Sequence, residues 1–161
     1  MRFTEDIIRG MGGGGAAVSE IAATIVGLWE YAAHFELYDD VPPVLTALRA
    51  RGLKLGLVSN TSRDLGMFCR HFSLDVDAWI SSGAHGKVKP SPLIFRAALE
   101  LVGCTAASAA MVGDSPEDDI EGARRVGIRA VLLDREDRYP DQPDRIRDLR
   151  ALPAALGLTS N

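Results

Sequence analysis

A short apolar segment that ends in Gly113-Asp114 and leads at once into a helix start constrains the fold of this chain most strongly. An apolar run bounded by a turn residue is typical of a buried strand. Ser115 suits the position that caps a helix, and Pro116 suits the first helical position. Because ligands bind at the carboxyl ends of parallel strands, Asp114 stands where a ligand site is expected.

The carboxylates of this segment have two interpretations. Asp119 follows Asp114 by little more than one helical turn, so acidic side chains crowd one small volume. Crowded carboxylates repel one another, and a hard divalent cation relieves that repulsion. Acidic residues also stabilise a helix N-terminus through the helix dipole, without any metal. These residues alone leave the metal site and the acidic cap equally open.

Two further strand segments indicate an α/β fold. Apolar residues 53–58 predict a strand that runs into the polar residues 59–62, and a helix follows. Residues 129–134 predict the last strand, which places Asp134 at its carboxyl end but at the periphery of the sheet. Alternating strands and helices are typical of a parallel sheet with helices on both faces.

Two loops carry groups that suit an anion. The polar turn 59–62 offers neutral donors and helix N–H groups, although it would also serve merely as a helix cap. Lys89 lies in a loop rich in Gly and Pro, directly before a helix through Ile94 and Phe95. A lysine held there can reach an anionic site, but most loop lysines are only solvated. Each loop alone is therefore a weak indication of function.

Two other acidic pairs are not predicted to be catalytic. No apolar strand precedes Asp39 and Asp40, and Asp40 is expected to cap the helix that follows. Asp75 and Asp77 precede an apolar strand, so their carboxylates would lie at its amino end, away from the ligand edge. We therefore exclude both pairs as nucleophile sites.

The first 37 residues differ from the remainder. The glycine-rich stretch 10–15 breaks regular structure, and it lacks the Gly-Lys-Ser/Thr ending of a phosphate loop. Apolar residues at helical spacing follow it and predict an amphipathic helix of roughly 18 residues.

Charge and composition argue against several classes of protein. A net charge of −4 gives no support for binding nucleic acid or an anionic membrane surface. No apolar run approaches a membrane span, and the N-terminus lacks the pattern of a signal peptide. The two cysteines have no metal-site spacing and suggest no disulfide framework. We therefore expect a cytoplasmic protein.

Three separated segments together resemble the second, third and fourth motifs of the haloacid-dehalogenase-like (HAD) hydrolases. They are residues 57–60, 89–95 and 112–123, in the order and spacing of that family. The resemblance implies a Rossmann-like α/β fold, a three-layer parallel sheet with helices on both faces. It also implies that residues 1–37 are the remnant of a helical cap and that residues 38–161 are the core.

The resemblance assigns a role to each candidate site residue. Ser59 would hydrogen-bond the transferring phosphoryl group, and Asn60 would line the same pocket. Lys89 would hold the phosphate and the nucleophile. Asp114 would bind Mg²⁺, and Asp119 would support the ion directly or through water. These roles match phosphoryl transfer, which requires positive charge positioned against the phosphate oxygens.

The family's first motif has no counterpart in these 161 residues. That motif is an apolar strand ending in Asp-x-Asp, which supplies the nucleophile and lies in the middle of the sheet. We therefore expect a truncated member, with a gap between the strands that end at Ser59 and at Gly113. The strands would close up, accept a strand from a partner or form a poor sheet. Exposed edges would also favour a homo-oligomer.

The function implied by the resemblance is that of a magnesium-dependent phosphatase acting on a small phosphorylated metabolite. Its reaction would pass through an aspartyl-phosphate whose aspartate is missing from the sequence. Two alternatives stay open: a catalytically inactive protein that binds phosphate or metal, and a 2-haloacid dehalogenase, with which Ser59-Asn60 is compatible. The substrate is not predicted, because the cap determines it in this family.

Overall fold

The computed structural model of the chain describes residues 2–158. These residues form two compact units, which divide in the sequence between Glu36 and Leu37. Within residues 2–158, no helix is both long enough and apolar enough to cross a bilayer. The interpretation of the first unit as part of a cap stays a prediction.

The first unit consists of two helices, α1 (Arg2–Gly10) and α2 (Ala17–Glu30), followed by a short 3-10 turn at Ala32–His34. Helix α2 confirms the predicted amphipathic helix, but it has 14 residues and is shorter than expected. Its buried residues include Val18 and Ala22. Helix α1 was not predicted.

The second unit alternates strands and helices. Its strands are β1 (Gly56–Ser59), β2 (Ala78–Ser81), β3 (Ala110–Gly113), β4 (Arg129–Leu133) and β5 (Arg145–Ile146). Its α-helices are α3 (Val41–Ala50), α4 (Leu65–His71), α5 (Ser82–His85), α6 (Pro92–Val102), α7 (Gly122–Arg124) and α8 (Leu152–Ala155). A wide helical segment with π-type hydrogen bonding, Pro116–Glu121, leads directly into α7.

All strand pairs are parallel, and they form two separate sheets. Strand β1 pairs with β2, while β3, β4 and β5 lie side by side in that order. Among the described residues, β1 has no other partner than β2, and β3 has no other partner than β4. The strands at the predicted gap therefore do not close up.

Helices cover the larger sheet on both faces. Ala130 and Leu132 of β4 pack into one apolar cluster with Ile94 and Phe95 of α6. Val131, which points to the opposite face, packs with residues of α3 and α8. This alternation confirms the three-layer α/β arrangement.

The strands that border the gap are less buried than the strand inside the larger sheet. No residue of β1 or β3 is fully buried, whereas three consecutive residues of β4 are. Val58 of β1 and Met111 of β3 both reach the apolar cluster below α6, and both stay half-buried there. Each border strand thus keeps an unpaired backbone edge among the described residues.

The structure corrects the prediction that Asp40 caps α3. Positions two and three of this helix are Pro42 and Pro43, which have no backbone N–H for a cap to accept. Asp40 is instead fully buried and accepts hydrogen bonds from both terminal nitrogens of Arg135, at 2.8 and 2.9 Å. It also accepts one from the Leu149 N–H, at 2.8 Å.

The structure also corrects the prediction that β4 is the last strand, because the two-residue strand β5 lies beyond it. Asp134, at the end of β4, is buried and accepts hydrogen bonds from the backbone of Arg138 and Tyr139. Arg145, in β5, donates a further hydrogen bond to it at 2.9 Å. Asp134 is therefore a structural carboxylate that holds the outer strand.

Candidate active site

The candidate residues meet at the carboxyl ends of β1 and β3. Ser59 ends β1 and Asn60 follows it, while Asp114 follows β3. Lys89 comes from the loop before α6. Hydrogen bonds join Asn60, Lys89 and Asp119 into one group, and Asn60 also lies within hydrogen-bond distance of Asp118, 58 positions later in the chain.

A buried ion pair lies at the centre of this group. The Lys89 Nζ donates to Asp119 Oδ1, and their side chains are only 11% and 4% exposed. The other oxygen, Asp119 Oδ2, accepts from the Ser115 N–H at 3.1 Å. Both carboxylate oxygens of Asp119 are thus hydrogen-bonded, and Asp119 holds the Lys89 ammonium group at this edge of the strands.

The local sequence explains how Asp119 comes to point inward. Ser115 caps the helical segment, and its Oγ accepts from the Asp118 N–H at 3.0 Å. The Ser115 carbonyl accepts from both the Asp119 and the Ile120 N–H groups, which widens this turn. Gly113 leaves the space that the Asp119 side chain occupies.

Asn60 contacts the backbone of the lysine loop. Its Oδ1 accepts from the Lys89 N–H at 2.7 Å, and its Nδ2 donates to the Lys89 carbonyl at 3.0 Å. The same Nδ2 lies 3.4 Å from Asp118 Oδ2. The sequence predicts no role for Asp118, whose position three residues after the cap Ser115 is the signal that it lies in the first turn of the helix.

Ser59 lies at the end of β1, beside Ser81 of β2 in the strand register. It is half-buried, and its hydroxyl makes no hydrogen bond within the described part of the chain. The cap of the following helix α4 is Asp64, which accepts from the Met67 N–H. The alternative in which residues 59–62 serve merely as that cap is therefore wrong.

Asp114 is exposed, and its carboxylate has no hydrogen bond or ion pair with any residue between 2 and 158. Mg²⁺ is commonly bound by one or two carboxylates, with water and substrate oxygens completing the shell. Asp114 fits that requirement as a single carboxylate ligand. Within residues 2–158 there is no cluster of three His, Cys, Asp or Glu residues suited to a metal ion.

The excluded pair Asp75 and Asp77 lies away from the candidate site, and both carboxylates have partners. Arg49 binds both oxygens of Asp75, at 2.9 and 3.0 Å, and one oxygen of Asp77 at 2.8 Å. Asp77 also accepts from the Leu55 N–H, just before β1 begins. Both carboxylates are thus structural and lie at the amino end of the strands.

A cleft of about 630 Å³ opens between the loop that follows β1 and the segment formed by β2 and α5. Trp79, Ser81 and His85 line it together with the start of α4. The sequence does not predict this cleft, because its walls come from two segments that meet only in the folded chain.

Comparison with known proteins identifies relatives of the chain. Residues 6–127 match the family model described as haloacid dehalogenase-like hydrolase. A phosphoserine phosphatase of Thermus thermophilus is 41% identical over 123 residues, which are 72% of this chain and 47% of that protein.

Solved structures agree with this relation. A HAD phosphatase from Thermococcus onnurineus aligns with a TM-score of 0.71 at 35% identity, covering 81% of this chain and 62% of that one. A 2-haloacid dehalogenase from Pseudomonas syringae aligns with a TM-score of 0.74 at 26% identity, covering 98% and 69%.

The chain spans about half the length of the curated relatives it matches, with 47%, 59% and 54% of three of them covered. Within that span, the family model and the relatives cover the loops that carry Ser59, Lys89 and Asp114. The chain belongs to the haloacid dehalogenase-like hydrolases.

Proposed function

We propose that these residues form the phosphate-binding part of a phosphatase site that acts on a small phosphorylated metabolite. The observation that carries this proposal is the buried Lys89–Asp119 pair, which holds an ammonium group at the carboxyl edge of the strands. Phosphoryl transfer depends mainly on such positioned positive charge. The phosphatases among the relatives support the same reaction class.

Each residue of the group contributes a different contact to the phosphate site. The Lys89 ammonium contacts the phosphate oxygens while Asp119 keeps it in place. The unbonded Ser59 hydroxyl donates a hydrogen bond to the transferring phosphoryl group. Asp114 holds Mg²⁺, which neutralises charge on the phosphate when it is bound. Asp119 supports this arrangement through Lys89.

The proposed reaction passes through an aspartyl-phosphate, and the described residues offer no aspartate pair at the end of an apolar strand for that step. Asp75 and Asp77 are engaged by Arg49 at the opposite end of β1. We therefore expect the 161-residue chain to bind phosphate without turning over a phosphate ester.

Two measurements test the proposed function. Titration with inorganic phosphate, with and without Mg²⁺, is expected to show binding that Mg²⁺ strengthens and that Asp114→Ala weakens. Hydrolysis of p-nitrophenyl phosphate by the same chain is expected to be absent. A folded chain that binds neither phosphate nor Mg²⁺ would refute the proposal. Robust turnover that Asp114→Ala abolishes would show that these residues contain a nucleophile after all.

Two alternatives make different predictions. The set Ser59, Lys89 and Asp114 without a nucleophile also fits a phosphate-binding protein with no catalytic role. An in-frame Asp-x-Asp strand encoded upstream of Met1 would favour the enzyme, and a stop codon there would favour the binding protein. The similarity to a 2-haloacid dehalogenase supports a second alternative, which halide release from 2-chloropropionate would detect.

The location and the oligomeric state of the protein are further parts of the proposal. We infer a reducing, cytoplasmic location, because Cys69 is buried and Cys104 half-buried and neither forms a disulfide. The unpaired edges of β1 and β3 would favour a homo-oligomer. Light scattering after gel filtration tests that inference, and a monomer across all concentrations would contradict it.

A further inference from the structure

We propose that Asn60 is a positioning residue, which holds the backbone of Lys89 instead of binding the phosphate itself. The proposal rests on the proposed function, since it concerns the lysine that would bind the phosphate. It replaces the role that the family resemblance implies for Asn60, as part of the substrate pocket.

The first support is a two-point contact between the Asn60 amide and one residue of the lysine loop. Oδ1 accepts from the Lys89 N–H at 2.7 Å, and Nδ2 donates to the Lys89 carbonyl at 3.0 Å. Paired strands exchange the same two hydrogen bonds with a single residue of a neighbour. The side chain of Asn60 thus takes the place of a strand partner for Lys89.

The second support is the hydrogen-bonding capacity of the amide. An asparagine side chain has two N–H hydrogens and one oxygen. The Asn60 Nδ2 donates to the Lys89 carbonyl at 3.0 Å and lies 3.4 Å from Asp118 Oδ2. Two acceptors of this chain therefore already lie within reach of its two hydrogens. A phosphate ligand at Asn60 would therefore have to displace an existing bond.

The third support is the loop that Asn60 holds. Residues 86–88 are exposed, and Gly86 adopts a left-handed conformation. The backbone contact with Asn60 holds one end of Lys89, and the ion pair with Asp119 holds the ammonium at the other end. A long side chain fixed at both ends has little rotamer freedom left to lose when it binds an anion.

The first test compares Asn60→Ala with the unaltered chain. Removal of both hydrogen bonds should speed exchange of the Lys89 amide hydrogen and weaken binding of inorganic phosphate, each by about tenfold. Gln142→Ala serves as the control, because Gln142 is exposed and lies in a loop beyond β4. It should leave both quantities unchanged. NMR follows both quantities in the same sample.

The exchange rate of the Lys89 amide and the affinity for phosphate together distinguish a positioning role of Asn60 from direct binding. Weaker phosphate binding with unchanged exchange at Lys89 would overturn the proposal and make Asn60 a phosphate ligand. Unchanged exchange and unchanged binding would overturn it as well. If the unaltered chain binds no phosphate, the proposed function fails, while faster exchange at Lys89 in Asn60→Ala still supports the backbone contact.

The second test exchanges the amide and the carboxylate between Asn60 and Asp118, and it applies also if Asn60→Ala is unstable. Asn60→Asp retains the acceptor for the Lys89 N–H but places a carboxylate against Asp118, so phosphate binding should weaken. Adding Asp118→Asn restores an amide opposite a carboxylate and should recover part of the lost affinity. Failure of this second change to recover any affinity would contradict the contact between the two side chains.

Discussion

The side chain of Asp119 packs directly against Gly113, so that a Cβ on Gly113 would lie 2.6 Å from the Asp119 Cβ. Real Cβ atoms do not approach other carbons this closely. The backbone of Gly113 lies outside the left-handed region that favours glycine, so any L residue could adopt it. Glycine is needed at the end of β3 for space, because the carboxylate that holds Lys89 occupies the place of a side chain.

This contact predicts that Gly113→Ala disturbs the site. The added methyl group must push Asp119 away from Lys89 and should cost about 1–3 kcal/mol in the free energy of unfolding. Phosphate binding should weaken as well, because the ammonium loses its fixed position. Urea denaturation measures the stability change.

Gly27→Ala is the matched control, since Gly27 lies in α2 and an added Cβ there would meet no side chain beyond its chain neighbours and no backbone outside its own helix within 4 Å. This variant should be as stable as the unaltered chain or more stable. Equal stability of Gly113→Ala and Gly27→Ala would show that a small shift of Asp119 relieves the overlap.

The Lys89–Asp119 pair predicts that one variant can regain stability without regaining phosphate binding. Lys89→Met leaves a buried carboxylate without its cation and should lower the free energy of unfolding by about 3 kcal/mol. Adding Asp119→Asn removes the buried charge and should recover most of that loss. Phosphate binding should be lost in both variants, because neither has the ammonium group.

Chemical denaturation and phosphate titration of the single and double variants check this prediction. Recovery of phosphate binding in the double variant would show that Lys89 is not the phosphate ligand. A double variant no more stable than Lys89→Met would show that the loss in Lys89→Met does not come from an unpaired buried charge.

Local signals made helix α6 and the ligand edge predictable. Ser91 caps α6, Pro92 begins it and Gly103 ends it in a left-handed conformation, which are three positional preferences visible in the sequence. The placement of Ser59 and Asp114 at the carboxyl ends of their strands follows from the local pattern of an apolar run that leads into polar residues. These features depend on neighbours within a few residues.

Features set by distant contacts were not predictable. Asp40 and Arg135 are 95 residues apart, and no local pattern pairs them. Strand β5 has only two residues, too few for an apolar pattern, and its contacts to Asp134 and to β4 form only in the folded chain. For Asn60, the choice between a phosphate and a backbone partner depends on where the lysine loop approaches it.

The acidic pair at the amino end of β1 predicts a stability effect without an effect on the site. Asp77→Ala removes an acceptor from the Leu55 N–H and from Arg49, so the melting temperature should fall. Phosphate binding should stay within about twofold of the unaltered value, because the two sites share no partner.

Asp75→Ala is the comparison variant. The Asp75 side chain is 77% exposed, whereas that of Asp77 is 30% exposed, so the loss of Asp75 should lower the melting temperature less. Thermal unfolding and phosphate titration test both variants. Loss of phosphate binding in Asp77→Ala at unchanged melting temperature would reverse the assignment of this pair as structural.

The buried pair of Asp40 and Arg135 predicts a dependence of stability on pH. Hydrogen bonds from Arg135 hold the pKa of the Asp40 carboxyl below its ordinary range. The folded chain therefore binds fewer protons at this group than the unfolded chain does. The stabilisation is complete above the unfolded pKa, about 3.9, and is lost as the pH falls towards the lower folded pKa.

Asp40→Asn tests this dependence, because an amide has the shape of a protonated carboxyl group. At neutral pH the variant should be less stable by about 2–3 kcal/mol, which is below the range for a wholly buried pair because Arg135 partly reaches water. The difference should shrink as the pH falls below about 4, where Asp40 itself becomes protonated. Asp39→Asn is the control, since its side chain is 87% exposed and should contribute less than about 1 kcal/mol. Urea denaturation across the acid range measures both differences, and a constant difference between Asp40→Asn and the unaltered chain would contradict the role of charge in this pair.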